Sequence, residues 1–217
     1  MRIIRIFFTK TGEAAYISHL DLQRAMARAL RRSELPVWYS QGFNPHIYMT
    51  FALPLPLMQE SLVETVDCKT EAEDGDFSRY LAPLNKALPR GIVTGQIAEP
   101  VFEANEIAFA EYSVYYSGYA KQIEQAVPAY NVKQNAPVVR KTKRTEEEIN
   151  LKDHLPKVLV KEENGEAFFQ LRLPAGSRFN INAELFTGFL QRQFSLPAAD
   201  ARIVRTGIYT AAGNNFC

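Results

Sequence analysis

The chain has 217 residues, with 25 Lys and Arg against 24 Asp and Glu, 47% apolar residues and 23% charged ones. Such a balance excludes a disordered, highly charged chain, and the formal net charge of +1 excludes a global field that would draw it to nucleic acid or a membrane. Any such binding has to come from a local patch. Two cysteines, Cys68 and Cys217, are too few for a disulfide framework or a four-cysteine metal site. Met1 to Lys10 lacks the charged-then-apolar layout of a signal peptide, and no apolar run approaches the roughly 20 residues of a membrane span. A cytoplasmic protein without a membrane contact is expected.

In chain order, Arg2 to Lys10 is rich in β-branched and aromatic residues and predicts a strand. Ser18 stands three residues before Asp21, the spacing of an N-cap hydroxyl and an N3 carboxylate, so a helix starts there. Leu22, Ala25, Met26, Ala29 and Leu30 follow at i, i+3, i+4, i+7 and i+8, one apolar stripe. Val37-Trp38-Tyr39 reads as a short strand, and Ser40 to Glu60 as a long loop rich in proline, aromatics and methionine. Leu62 to Cys68 predicts a strand. Asp76 to Leu88 has helical spacing at Phe77, Tyr80, Leu81, Leu84 and Leu88, with Pro83 demanding a kink or a late start. Gly91 to Thr94 begins the next strand.

The second half repeats the order. Glu111 to Tyr116 predicts a strand, Ala120 to Val127 a short helix, and Val138 to Arg144 a strand with a polar continuation. Val158 to Val160 and Phe168 to Leu173 flank Asn164-Gly165, a hairpin signal. Asn180 or Asn182 caps a helix whose inner face is Leu185, Phe186, Phe189 and Leu190, and Arg202 to Tyr209 closes the set as a strand. The expected fold class is α+β, with two tandem ferredoxin-like (βαββαβ) modules over residues 1–100 and 101–217, each with an antiparallel sheet.

Four groups of residues bear on chemistry. Arg24, Arg28 and Arg31 fall at i, i+4 and i+7, roughly opposite the apolar stripe, where guanidinium forks can grip successive phosphates; a solvated face partly paired with Asp21 is the plain alternative. Ser40 to His46 is a shaped turn in which Gly42 allows positive φ and Asn44-Pro45 turns the chain. It presents Gln41, Asn44 and His46 beside Tyr39, Phe43 and Tyr48, which suits proton transfer by His46, stacking on a flat ligand, or a histidine that simply orders the loop. His19, just inside the helix, sits where the free N–H groups favour an anion. Arg140, Lys141, Lys143 and Arg144 form a basic run followed by Glu146 to Glu148, either an RNA-facing strand or an exposed, self-neutralising segment. The three histidines have no metal-ligand spacing, so neither a metal nor a cofactor site is expected.

Ser18-His19-Leu20-Asp21, Gly42-Phe43-Asn44-Pro45-His46 and Leu53-Pro54-Leu55-Pro56-Leu57 together resemble the radical SAM-linked protein family, a bacterial domain of no established activity, free-standing or fused behind a radical SAM protein. The resemblance departs at Gln41, where an acidic residue is usual, at Ile47, where proline is usual, and at Met58, where glycine is usual. It implies a radical SAM protein as partner. Two distant cysteines cannot hold a four-iron cluster, so the chain is not itself the radical enzyme. The tandem order is also similar to that of CRISPR repeat-processing endoribonucleases, a fold-level analogy only.

These readings lead to three expectations. The first is a non-catalytic RNA-binding or substrate-presenting module, with Ser18, Asp21 and the arginine face among its ligand-binding residues. The second is a metal-independent nuclease or transferase using His19 and His46 as acid and base. The third is a structural subunit that docks a partner through the apolar 47–58 segment.

Overall fold

The computed structural model describes residues 1–73, 75–141, 145–163 and 166–217. The protein is a mixed α+β chain, with four α-helices among the described residues and mostly antiparallel strand pairing. It divides into two compact units, one of residues 1–107 with 207–217, the other of residues 108–206.

In the first unit β1 (Arg2–Lys10) is followed by a short 3₁₀ turn and by α1 (His19–Arg32). The Ser18 hydroxyl accepts from the Asp21 N–H at 3.2 Å, satisfying one of the orphan donors of the first turn. The Asp21 carboxylate accepts from the Ser18 hydroxyl at 2.7 Å instead of reaching back to the backbone. Leu22, Met26, Ala29 and Leu30 are buried on the predicted stripe, and each of the larger three contributes about 1.5–3 kcal/mol by leaving water. They meet Ile4, Ile6 and Phe8 of β1 and Leu84 of α2 (Leu81–Ala87) in one core. Pro83 sits in the first turn of α2, after a 3₁₀ turn at Ser78–Tyr80, so its missing N–H costs no helical bond.

The strand order in this unit is β4-β1-β3-β2, where β2 is Met49–Phe51, β3 Glu60–Thr70 and β4 Ile92–Ala98, and each adjacent pair is antiparallel. The second strand therefore lies inside the expected long loop, and Val37 to Tyr39 makes only isolated bridges, Val37 with Thr70 and Tyr39 with Ile47. Ile47 and Phe51 point inward with Met49 half-buried between them, while Tyr48 and Thr50 stay exposed. That alternation is the strand signal which the surrounding prolines obscured. Ile47, Phe51, Leu53 and Leu55 are thus buried, and only Leu57 and Met58 of the later part of the 47–58 segment are large exposed apolar groups.

In the second unit β5 (Ile107–Tyr116) leads into α3 (Ala120–Asn131), four residues longer than expected. A hairpin of β6 (Pro137–Lys141) and β7 (Glu146–Asn150) follows as a separate two-stranded sheet. Then come β8 (Leu159–Glu163), β9 (Glu166–Pro174), α4 (Glu184–Phe194) and β10 (Ala201–Thr210), the last four residues of which belong to the first unit. The main sheet of this unit runs β10-β5-β9-β8. The N-cap of α4 is Ala183 rather than either expected asparagine, but Asn182, one residue earlier, accepts from the Glu184 N–H through its Oδ1 at 3.1 Å. Tyr130 of α3, Phe186 of α4 and Phe169 of β9 share ring contacts at 4.9 and 5.4 Å, which places both helices on one sheet face. Asn164-Gly165 lies outside the described residues; the strands on either side pair in antiparallel register.

Candidate functional site

The N-terminal end of α1 gathers more polar chemistry than its motif announces. His19, the first helical residue, packs edge-on against Phe51 with ring centroids 5.1 Å apart, and the Gln23 side chain donates to its Nε2 at 3.0 Å. Burial pulls the His19 pKa below 6.5, with the Glu64 carboxylate pulling the other way. His19 is therefore a neutral imidazole near neutral pH, able to accept a proton.

Glu64 and Lys10 are each 2% exposed, an unusual depth for charged side chains. The β1–β3 register sets Phe8 opposite Glu64 and Lys10 opposite Ser61, so both charges join the helix-covered side of the sheet. Lys10 Nζ donates to the Ala15 carbonyl at 3.1 Å. Burial lowers the Lys10 pKa, opposed by Glu64 and Glu60. Neither residue belongs to a sequence motif. The one available signal was a charged residue at an inward position of each strand.

His46 has other neighbours. Its backbone N–H donates to Ser40 Oγ at 3.1 Å, its Nδ1 shares a hydrogen bond with that hydroxyl at 2.8 Å, and the Ser40 N–H donates to its carbonyl at 2.9 Å. His46 thus clamps the base of the loop, while the two imidazoles are held by different partners. At the loop tip Gln41, Gly42, Phe43 and Asn44 are exposed, and the Phe43 ring is fully so. Gly42 has φ 127, a conformation costly for any residue with a Cβ. Below the tip the Lys69 ammonium lies 5.1 Å from the Trp38 ring and 4.5 Å from the Tyr48 ring, with Tyr39 exposed beside them.

On α1, Arg24 pairs with Asp21 at 3.1 Å. Hydrogen bonds from Ser18 and then Arg24 hold the Asp21 carboxyl below its usual range. Arg28 and Arg31 are exposed and form no ion pair among the described residues. The local cap thus uses up one arginine of the three and leaves two open.

Residues 3–183 match an uncharacterized protein family conserved in bacteria (DUF2344). The chain belongs to this family. No curated protein matches it. The DUF2344 match spans both motif regions of the first unit and most of the second.

The basic run lies in the DUF2344 region too, but in a different electrostatic setting. Across the β6–β7 hairpin Arg140 faces Glu147 and Lys141 faces Glu146, with ion pairs of 3.4 and 2.8 Å. Arg140 also lies over the Phe179 ring and donates to the Asn180 carbonyl. Lys143 and Arg144 lie outside the described residues. Among the described residues no three His, Cys, Asp or Glu side chains gather as a metal-ligand set, and no helix is long and apolar enough to cross a membrane.

Proposed function

We propose that this chain is an accessory RNA-binding protein that presents substrate to a radical SAM enzyme. The observation that carries the RNA half is the pair Arg28 and Arg31, exposed on α1 and unneutralised among the described residues, on a chain whose net charge is only +1. Two guanidiniums one turn apart match the spacing of phosphate contacts, and the solvated Phe43 ring offers a base a face to stack on. The radical SAM half rests on the Ser18–Asp21 and Gly42–His46 motifs and their family resemblance. The orders β4-β1-β3-β2 and β10-β5-β9-β8 support reading both units as ferredoxin-like βαββαβ modules, with the β6–β7 hairpin inserted in the second.

The test is RNA binding by the purified protein at two salt concentrations, with Arg28→Ala/Arg31→Ala beside Arg24→Ala. The double variant weakens binding and lowers the salt slope by about 1.4, about 0.7 for each lost single-strand phosphate contact. Arg24→Ala, already engaged with Asp21, has the smaller effect. Absence of RNA binding at low salt overturns the reading, and co-purification with a radical SAM protein then becomes the decisive assay.

A second reading draws on one specific observation, the neutral, half-buried His19 beside buried Glu64. A metal-independent nuclease or transferase built there turns over in the presence of chelator and loses activity in His19→Gln.

A further inference from the structure

The helices of the second unit cover one face of its sheet through Phe169, Leu171 and Leu173, all at most 1% exposed. Strand alternation puts Phe168, Gln170 and Arg172 on the other face. The register then sets Lys161, Phe168 and Tyr115 in one row across β8, β9 and β5. Tyr115 and Phe168 stack with centroids 5.0 Å apart and planes 23° from parallel, and the Arg202 guanidinium of β10 caps Tyr115 at 4.4 Å. The row therefore reads cation, ring, ring, cation. Two rows along, past Gln170 and Ser113, Arg172 lies 5.0 Å from the Phe109 ring and 3.7 Å from Glu111.

We propose that this face binds single-stranded RNA, with bases stacking on the Tyr115–Arg202 and Phe109–Arg172 layers and phosphates held by Lys161 and Lys157. Two features select that occupant. Four cations, Lys157, Lys161, Arg172 and Arg202, lie on this face and its margin, against three acidic residues that the strand register assigns to it, Glu111, Glu163 and Glu166. Guanidinium planes laid on rings are also the stacking surface used by unpaired bases, whereas a duplex hides its base faces. A pocket of about 370 Å³ between His154, Lys157, Lys161 and Arg172 opens at the margin, within the ~300–1,000 Å³ range of ligand sites. The inference rests on the RNA-binding reading above but places the base contacts on a different unit from Arg28 and Arg31.

The experiment uses the full chain and a fluorescein-labelled single-stranded RNA carrying 4-thiouridine, read by anisotropy and by mapping of photocrosslinks. Arg172→Ala/Arg202→Ala is expected to weaken binding about tenfold, and Arg172→Lys/Arg202→Lys, which keeps charge without a stacking plane, to recover only part of it. Crosslinks fall on peptides containing Tyr115 or Phe109, and a duplex of the same sequence competes poorly. Wild-type binding that is indifferent to both double variants, with crosslinks confined to the first unit, overturns this inference while leaving the RNA-binding reading intact. Absence of RNA binding by the wild type removes both.

Discussion

Arg5 and Asp67 face each other across β1 and β3 as a bidentate ion pair. Arg5 Nε and Nη2 donate to the two carboxylate oxygens at 2.7 and 2.8 Å, and the Phe216 ring closes over the guanidinium at 4.3 Å. Arg5 is 1% exposed, so its charge has no solvent to fall back on. Asp67→Ala is expected to destabilise the protein by about 3 kcal/mol in urea unfolding, because it strands a buried cation. Arg5→Met in the same background should restore part of that loss, as double-mutant coupling between contacting groups requires. Equal, additive costs would show that the pair is not coupled.

Met58 stands at φ 65, a left-handed conformation, at the position where the family resemblance leads one to expect glycine. Its N–H donates to the Ala15 carbonyl at 2.9 Å, so the backbone cannot relax without losing that tie. The side chain is 61% exposed and contributes little packing. Met58→Gly is expected to raise stability by about 1 kcal/mol through relief of the Cβ strain. A lowered thermal midpoint would show that the methionine side chain matters more than its backbone conformation.

His19 titrates below 6.5 because burial disfavours its charged form, against the pull of Glu64. With the folded pKa depressed, the unfolded chain binds the extra proton first as pH falls. Stability is therefore full above 6.5 and declines on acidification through the window between 6.5 and the lower folded value. His19→Gln removes this component. Urea midpoints measured across that window should fall more steeply for the wild type than for the variant. Parallel curves would mean that His19 is hydrated in solution.

Phe43 separates binding from folding. Its ring is fully exposed, so Phe43→Ala should change stability by less than about 0.5 kcal/mol. If the loop stacks on a base, the same substitution weakens RNA binding by about fivefold or more. Unaltered affinity assigns the loop to a partner other than RNA, with Phe43→Ala then tested for loss of protein association.

Ser40→Ala removes the hydroxyl that receives the His46 N–H and meets its imidazole. The expected result is faster amide exchange in residues 41–46 with the core of the first unit unchanged, since neither residue belongs to that core. Unaltered exchange would mean that the Tyr39–Ile47 bridge alone holds the loop.

Where the structural signal was local, the sequence was legible. The bounds of β1, the Ser18 cap and the α1 stripe all follow from short-range periods and from one hydroxyl three residues before a carboxylate. Pro83 left a kink or a late start open for the second helix, and the structure shows the late start. By contrast, β2 was hidden among prolines and aromatics, because three residues of alternation are too few to outweigh loop composition until β3 supplies the partner.

Of the candidate site, the sequence by itself determined which residue types were present and which turned with the helix: His19, Arg28 and Arg31 at the start and along one face of α1. Only the tertiary structure decided which charges remain available. Arg140 and Lys141 meet glutamates across a hairpin, Lys10 and Glu64 come to the same side of a sheet from 54 positions apart in the chain, and Tyr115 is joined by an arginine from β10. Neutralisation and stacking act over a few ångströms in space, and strand register, which is settled by the packing of whole sheets, brings those groups within reach.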